Sequence, residues 1–127
     1  MGKIKLLTPQ EIEVWYILPA IRKEFAKVMI EKGLNQKEAA KKLHLTEPAI
    51  SQYLKDKRAK EIKFNPKVKA EIKKSADNIL KDNSAQALIM ELQKTLKVIK
   101  QEMILCDMHK KVDCTIPSNC DQCVKLW

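Results

Sequence analysis

Apolar positions along the chain recur at three- and four-residue steps, and no segment alternates in the manner of a strand. Thr8-Pro9-Gln10-Glu11 has the form of a helix start: Thr8 caps, Pro9 suits the first turn and Glu11 closes a capping box. The helix predicted from there carries Ile12, Trp15 and either Tyr16 or Leu18 on one side, and Pro19 kinks it or begins a new one. From Pro19 to Lys32, Ile21, Phe25, Val28 and Met29 mark one face of an amphipathic helix that Gly33 ends. Asn65-Pro66 opens a helix predicted to run to about Lys81, with Val68, Ile72 and Ile79 inward. Ser84 caps the next, predicted to reach about Leu105. Leu88, Leu92, Leu96, Ile99 and Met103 form its single-face stripe, about three heptads long. The chain reads as all-α up to Cys106.

Between these helices, residues 34–55 read LNQKEAAKKLHLTEPAISQYLK. Asn35 caps a short helix from Gln36 to Leu43, in which Ala39 and Ala40 are small enough for a close helix crossing. His44-Leu45 forms a turn. Thr46 then caps a second helix that tolerates Pro48 in its first turn and aims Ile50 and Leu54 at the core. Its outward face carries Glu47, Ala49, Ser51, Gln52 and Lys55, short or polar groups able to reach base edges and phosphates. Two helices with a tight turn and a polar outer face on the second are what a reader of the major groove requires. Lys55, Lys57 and Arg58, at the end of this helix and just beyond it, suit phosphate contacts, Thr46 joins the candidate DNA-binding set at its start, and Tyr53 reads as a packing residue.

The run LNQKEAAKKLHLTEPAISQYLKDKR resembles the lambda-repressor-like helix-turn-helix regulators of the Xre/Cro family. The longer run from EVWYILPAIRKEF is similar to archaeal regulators of that kind. The resemblance covers about residues 8–60 and implies a helix-turn-helix bundle that binds an operator in double-stranded DNA. It implies that Gln36 starts the positioning helix and approaches phosphate, and that Glu47, Ala49, Ser51 and Gln52 lie on the recognition helix. Glu47 stands where many relatives carry Gln, and a carboxylate accepts from cytosine N4 but cannot donate to purine acceptors.

Charge agrees with that partner. The 127 residues carry 25 Lys and Arg against 16 Asp and Glu, a formal charge of +9. Residues 1–60 hold 13 basic and 7 acidic side chains, residues 61–105 hold 9 and 6, and residues 106–127 hold 3 and 3. A positive field concentrated in the front half suits a polyanion. No apolar run approaches the roughly 20 residues of a membrane span, and the first residues lack the form of a signal peptide, so a cytoplasmic location is expected.

In that compartment thiols stay reduced, and the four cysteines need a role other than structural disulfides. They are confined to residues 106–127: Cys106, Cys114, Cys120 and Cys123, with only the last pair tightly spaced. Four thiolates so close in sequence offer soft ligands to an iron–sulfur cluster of the 4Fe-4S type, and the loose spacing suits ligands arriving from several directions. Zinc is the alternative, because Cys106-Asp107-Met108-His109 is a C-x2-H knuckle able to pair with Cys120 and Cys123; thiol redox chemistry is the third. A thiol oxidoreductase is disfavoured, since a thioredoxin-like site wants a strand before its C-x-x-C and a helix after it. The expected organisation is a helix-turn-helix domain over 1–62, a helical dimerisation region over 63–105 and a Cys-rich metal-binding segment over 106–127. The expected product is a non-enzymatic, homodimeric transcriptional regulator that senses redox state or iron.

Overall fold

Side-chain caps fix where the helices begin. In the computed structural model, which describes residues 8–55, 62–82 and 84–112, the Thr8 hydroxyl accepts from the Glu11 N–H, and the Glu11 carboxylate accepts from the Thr8 N–H. This box opens α1 (Pro9–Ile12), which passes through a π-helical turn (Glu13–Ile17) into α2 (Leu18–Glu31). Then follow α3 (Gln36–Leu43), α4 (Glu47–Leu54), α5 (Pro66–Lys81), α6 (Ala85–Gln101) and α7 (Ile104–Val112). Every element among the described residues is a helix.

The π-helical turn changes which residues face inward. Its hydrogen bonds run from residue i+5 to residue i, as from the Leu18 N–H to the Glu13 carbonyl, so the turn takes in one residue more than an α-turn and shifts the inward face by one position. Ile12 and Ile17 are both fully buried, while Val14 and Trp15 stand 57% and 49% exposed. Trp15, expected on the inner side with Ile12, therefore faces out. Pro19 is the second residue of α2 and takes one N–H out of the helical run where the π-helical turn ends.

Helix α2 is the centre of the fold and packs against α3, α4 and α5. Its Ile21, Phe25, Ala26 and Met29 are fully buried. Gly33, at φ +100°, ends it in a conformation that side chains with a Cβ adopt only with strain. Helices α5 and α6 form an antiparallel hairpin whose seam joins apolar and polar groups: Val68, Ile72, Ile79, Leu96 and Ile99 with Ser75, Thr95 and Glu91. The Thr95 hydroxyl donates to the Ser75 hydroxyl at 3.2 Å, and the Glu91 carboxylate accepts from Asn78 and Lys94, each at 3.1 Å.

The long helix is shorter than its stripe suggests. It stops at Gln101 and not near Leu105, because Met103 takes a left-handed conformation (φ 62°) that turns the chain back. The Glu102 carboxylate pins this turn to the start of α5 by accepting from the Asn65 side chain at 3.1 Å and from Lys67 at 3.2 Å. Helix α7 then packs against α1 and α6 and buries Leu105, Cys106 and Met108. The boundary drawn between residues 105 and 106 thus falls inside a helix. The stripe meant for dimerisation is largely consumed within the chain: Leu96 and Ile99 are buried, and Leu88, Leu92 and Met103 are half-buried against the same core.

Candidate nucleic-acid interface

Two eight-residue helices carry the candidate site, and neither would persist alone in water. Their caps and their inner faces hold them. The Asn35 side chain accepts from the Glu38 N–H at 2.8 Å while the Glu38 carboxylate accepts from the Asn35 N–H at 3.0 Å, a reciprocal pair that fixes the start of α3. The Thr46 hydroxyl accepts from the Ala49 N–H at 3.3 Å and fixes the start of α4. Between them His44 adopts the left-handed conformation (φ 55°), and the Leu45 N–H reaches back to the Ala40 carbonyl at 2.9 Å. Gly or Asn usually marks such a position, so the left-handed geometry of this turn had no clear signal in the sequence.

The inner faces are apolar and tight. Ala39 and Ile50 are fully buried, Ala40 and Leu43 nearly so, and α2 lies beneath both helices. Tyr53 is buried too, which makes it a packing residue, and Leu54 is half-buried against the core.

The outer face of α4 is as polar as the inner face is apolar. Glu47 and Lys55 are exposed at its two ends, with Ala49, Ser51 and Gln52 half-exposed between them and Thr46 exposed at the cap. Gln36 is half-exposed at the first turn of α3, where free N–H groups and the positive end of the helix dipole favour an anion. Lys37 and Lys41 are exposed on the same helix. Seven of the nine residues read from the sequence as DNA-binding therefore lie on one helix-turn-helix unit. The other two, Lys57 and Arg58, lie outside the described residues.

The metal candidates are less fully placed. Cys106 is 3% exposed on α7, inside the apolar core, and His109 follows one turn later at 6% exposure. Cys114, Cys120 and Cys123 lie outside the described residues, and among the described residues no three His, Cys, Asp or Glu side chains are grouped to hold a metal. No helix among the described residues is long and apolar enough to cross a membrane.

No curated protein and no solved structure matches the chain. Residues 25–63, less than a third of the sequence, match the helix-turn-helix family model HTH_3, the lambda-repressor-like, Xre-type helix-turn-helix, which describes DNA-binding regulators and not enzymes.

Proposed function

We propose that the protein is a sequence-specific DNA-binding transcriptional regulator that acts as a homodimer on a two-part operator, with α4 as its recognition helix. The observation that carries this reading is the division of α4 into two faces. Ile50 is buried in the core shared with α2 and α3, Tyr53 is buried beside it on α4, and Glu47, Ala49, Ser51, Gln52 and Lys55 are turned outward, in the segment that matches the helix-turn-helix family. A helix so mounted can enter the major groove end-on, with Gln36, Lys55, Lys57 and Arg58 engaging phosphates and Ser51 and Gln52 the base edges. The dimer reading rests on Ile89 and Met90, large apolar side chains that α6 leaves 56% and 58% exposed, and not on the stripe that the chain buries itself. Two copies also supply the paired contacts that one module lacks.

The same proposal assigns Cys106, Cys114, Cys120 and Cys123 to an iron–sulfur cluster, whose sensitivity to oxidant and to iron supply would make the regulator responsive to both. A zinc reading is favoured by one observation: Cys106 and His109 lie one turn apart on α7 and are both buried, as the two donors of a C-x2-H half-site would be. Either metal draws on Cys106, so the tail would be tied to α7 and through it to α6, the helix that carries Ile89 and Met90.

Selection from a random duplex library, followed by sedimentation of the complex, tests the DNA-binding and dimer readings together. Enrichment of a sequence with two related half-sites bound by two chains is expected; no enrichment of any sequence would refute the regulator. Metal analysis and the visible spectrum of anaerobically purified protein decide the second part. Iron with sulfide and a brown chromophore supports the cluster, while colourless protein with zinc supports the half-site at Cys106 and His109. Operator affinity of Cys114→Ser and Cys120→Ser, with and without oxidant and beside circular dichroism, tests sensing. Equal affinity in every state would remove it.

A further inference from the structure

Helix α5 carries its charge on one side. Lys67, Lys69, Lys73, Lys74 and Lys81 are all exposed, while Val68, Ile72, Ser75, Ala76 and Ile79 are buried on the opposite side. At 100° per residue these lysines share one outward arc with Ala70 and Asp77. Lys67, Lys74 and Lys81 repeat every seventh residue, so their stems rise from one line along the helix about 21 Å long.

Carboxylates offset only part of the arc: Glu24 and Glu31 of α2 line one groove with Lys69 and Lys73, alongside Lys27, and leave Lys74 and Lys81 outside it. Glu71 is half-buried and lies 3.5 Å from the Ser75 hydroxyl. Glu102 pairs with Lys67 at one end. Asp77 pairs with Lys32, and its carboxyl is held below its ordinary value by the Lys32 hydrogen bond, against desolvation and with help from the charges of Lys32, Lys81 and Lys73. Around this one carboxylate stand three ammonium groups.

The Asp77–Lys32 pair also says where the arc points. Lys32 and Gly33 form the turn that leads directly into Asn35, the cap of α3, and Gln36, the end of α3 suited to a phosphate. The C-terminal half of α5 is therefore docked beside the edge of the helix-turn-helix that would meet the sugar–phosphate backbone. Fold stability gives no reason for such a face, since exposed lysines contribute little and like charges repel.

We infer that the lysine face of α5 binds the phosphate backbone of the same duplex that α4 reads, on DNA flanking the half-site. This rests on the DNA-binding reading above and extends it to a second, sequence-independent contact. Double-stranded DNA carries one charge per roughly 3.4 Å of axis on each strand, so a helix face about 21 Å long has several phosphates within reach of its lysines.

The test uses the full chain, its Lys73→Gln/Lys74→Gln/Lys81→Gln variant and Gln52→Ala, on a selected half-site in a duplex of about one helical turn and in one of about four. Glutamine keeps helix propensity and removes charge, and circular dichroism checks the fold. On the long duplex the triple variant is expected to lower the slope of log affinity against log salt by about 2–3, near 0.9 for each phosphate no longer neutralised. On the short duplex its slope should stay within about 1 of the parent's. Gln52→Ala should lose base discrimination and keep the preference for the long duplex.

An unchanged slope for the triple variant on the long duplex overturns the inference while leaving the regulator intact. An equal fall on both duplexes overturns the flanking placement. If the triple variant loses binding to phosphatidylserine vesicles and keeps its duplex affinity and slope, the face belongs to a lipid surface and the inference fails. Failure of the parent to bind any duplex sinks both readings. If the parent binds without preference for any sequence, and only the triple variant changes the slope, recognition by α4 fails and the lysine face stands.

Discussion

Replacing Ile50 by Ala tests the assignment of the two faces of α4 at its most consequential residue. Ile50 is fully buried, one turn into a helix of eight residues that leans on α2 and α3. Truncation removes the burial of three carbon atoms and leaves a void between helices that cannot easily close, a change that costs about 2–5 kcal/mol in well-packed cores. The lower half of that range suits a helix close to the DNA-facing surface, and we take about 3 kcal/mol. For a chain of this size each kcal/mol lowers the melting temperature by about 3–5 °C, so a fall of about 10 °C is expected. Ile50→Val should cost only about 0.5–1.5 kcal/mol. Gln52→Ala, one face away on the same helix, should change stability by no more than about 0.5 kcal/mol. Thermal unfolding followed by circular dichroism reads all three. Equal melting temperatures for Ile50→Ala and Gln52→Ala would mean that α4 is not mounted by Ile50, and the outward assignment of Glu47, Ala49, Ser51, Gln52 and Lys55 would go with it.

Lys55→Ala should weaken binding to every duplex and lower the salt slope by about one, whereas Gln52→Ala should relax discrimination at particular base pairs by about 1–3 kcal/mol; binding titrations against matched and mismatched duplexes at several salt concentrations separate them. Gly33→Ala should destabilise the protein by roughly 1–2 kcal/mol through backbone strain alone, since φ is +100° and an added Cβ would meet nothing within 4 Å, and an unchanged melting temperature would contradict the turn geometry. Burial alone would raise the Glu91 carboxyl, but hydrogen bonds from Asn78 and Lys94, the Lys94 charge and a hydrogen bond with Ser75 outweigh it and hold the group below its ordinary value of 4.5. A carboxyl depressed in the folded state stabilises above its unfolded value and loses that contribution as pH falls through the folded one. Glu91→Gln should therefore be less stable than the parent at neutral pH and lose less on acidification below about 4.5, and parallel acid-unfolding curves would refute the assignment.

What the sequence determined by itself is local. Thr8 with Glu11, Asn35 with Glu38, Thr46, Asn65 and Ser84 each satisfy N–H groups within three residues, so the helix starts were legible without knowing what packs on what. The two faces of α4 were legible for the same reason, since a period of 3.6 residues sorts Ile50 and Leu54 from Glu47, Ser51 and Gln52 once the start is fixed, although Tyr53 proved more deeply buried than Leu54. Tertiary structure decided the rest. A π-helical turn, invisible to a count at 3.6 residues, put Ile17 inside and Trp15 outside. The stripe of α6 said that one face is apolar, but not whether it would meet a second copy or α5; the α5–α6 hairpin answered by burying Leu96 and Ile99 within the chain. Met103 ended α6 early because Glu102, bound to Asn65 and Lys67, and the burial of Leu105, Cys106 and Met108 together favour the left-handed turn over another turn of helix. Lys32 and Lys73 are forty-one positions apart, and only the pairing of Lys32 with Asp77 gathers them into one positive surface beside α3. Caps and periods act within a few residues and leave their mark on neighbouring letters, whereas burial and ion pairing join groups that the chain separates, so no local pattern records which of them will meet.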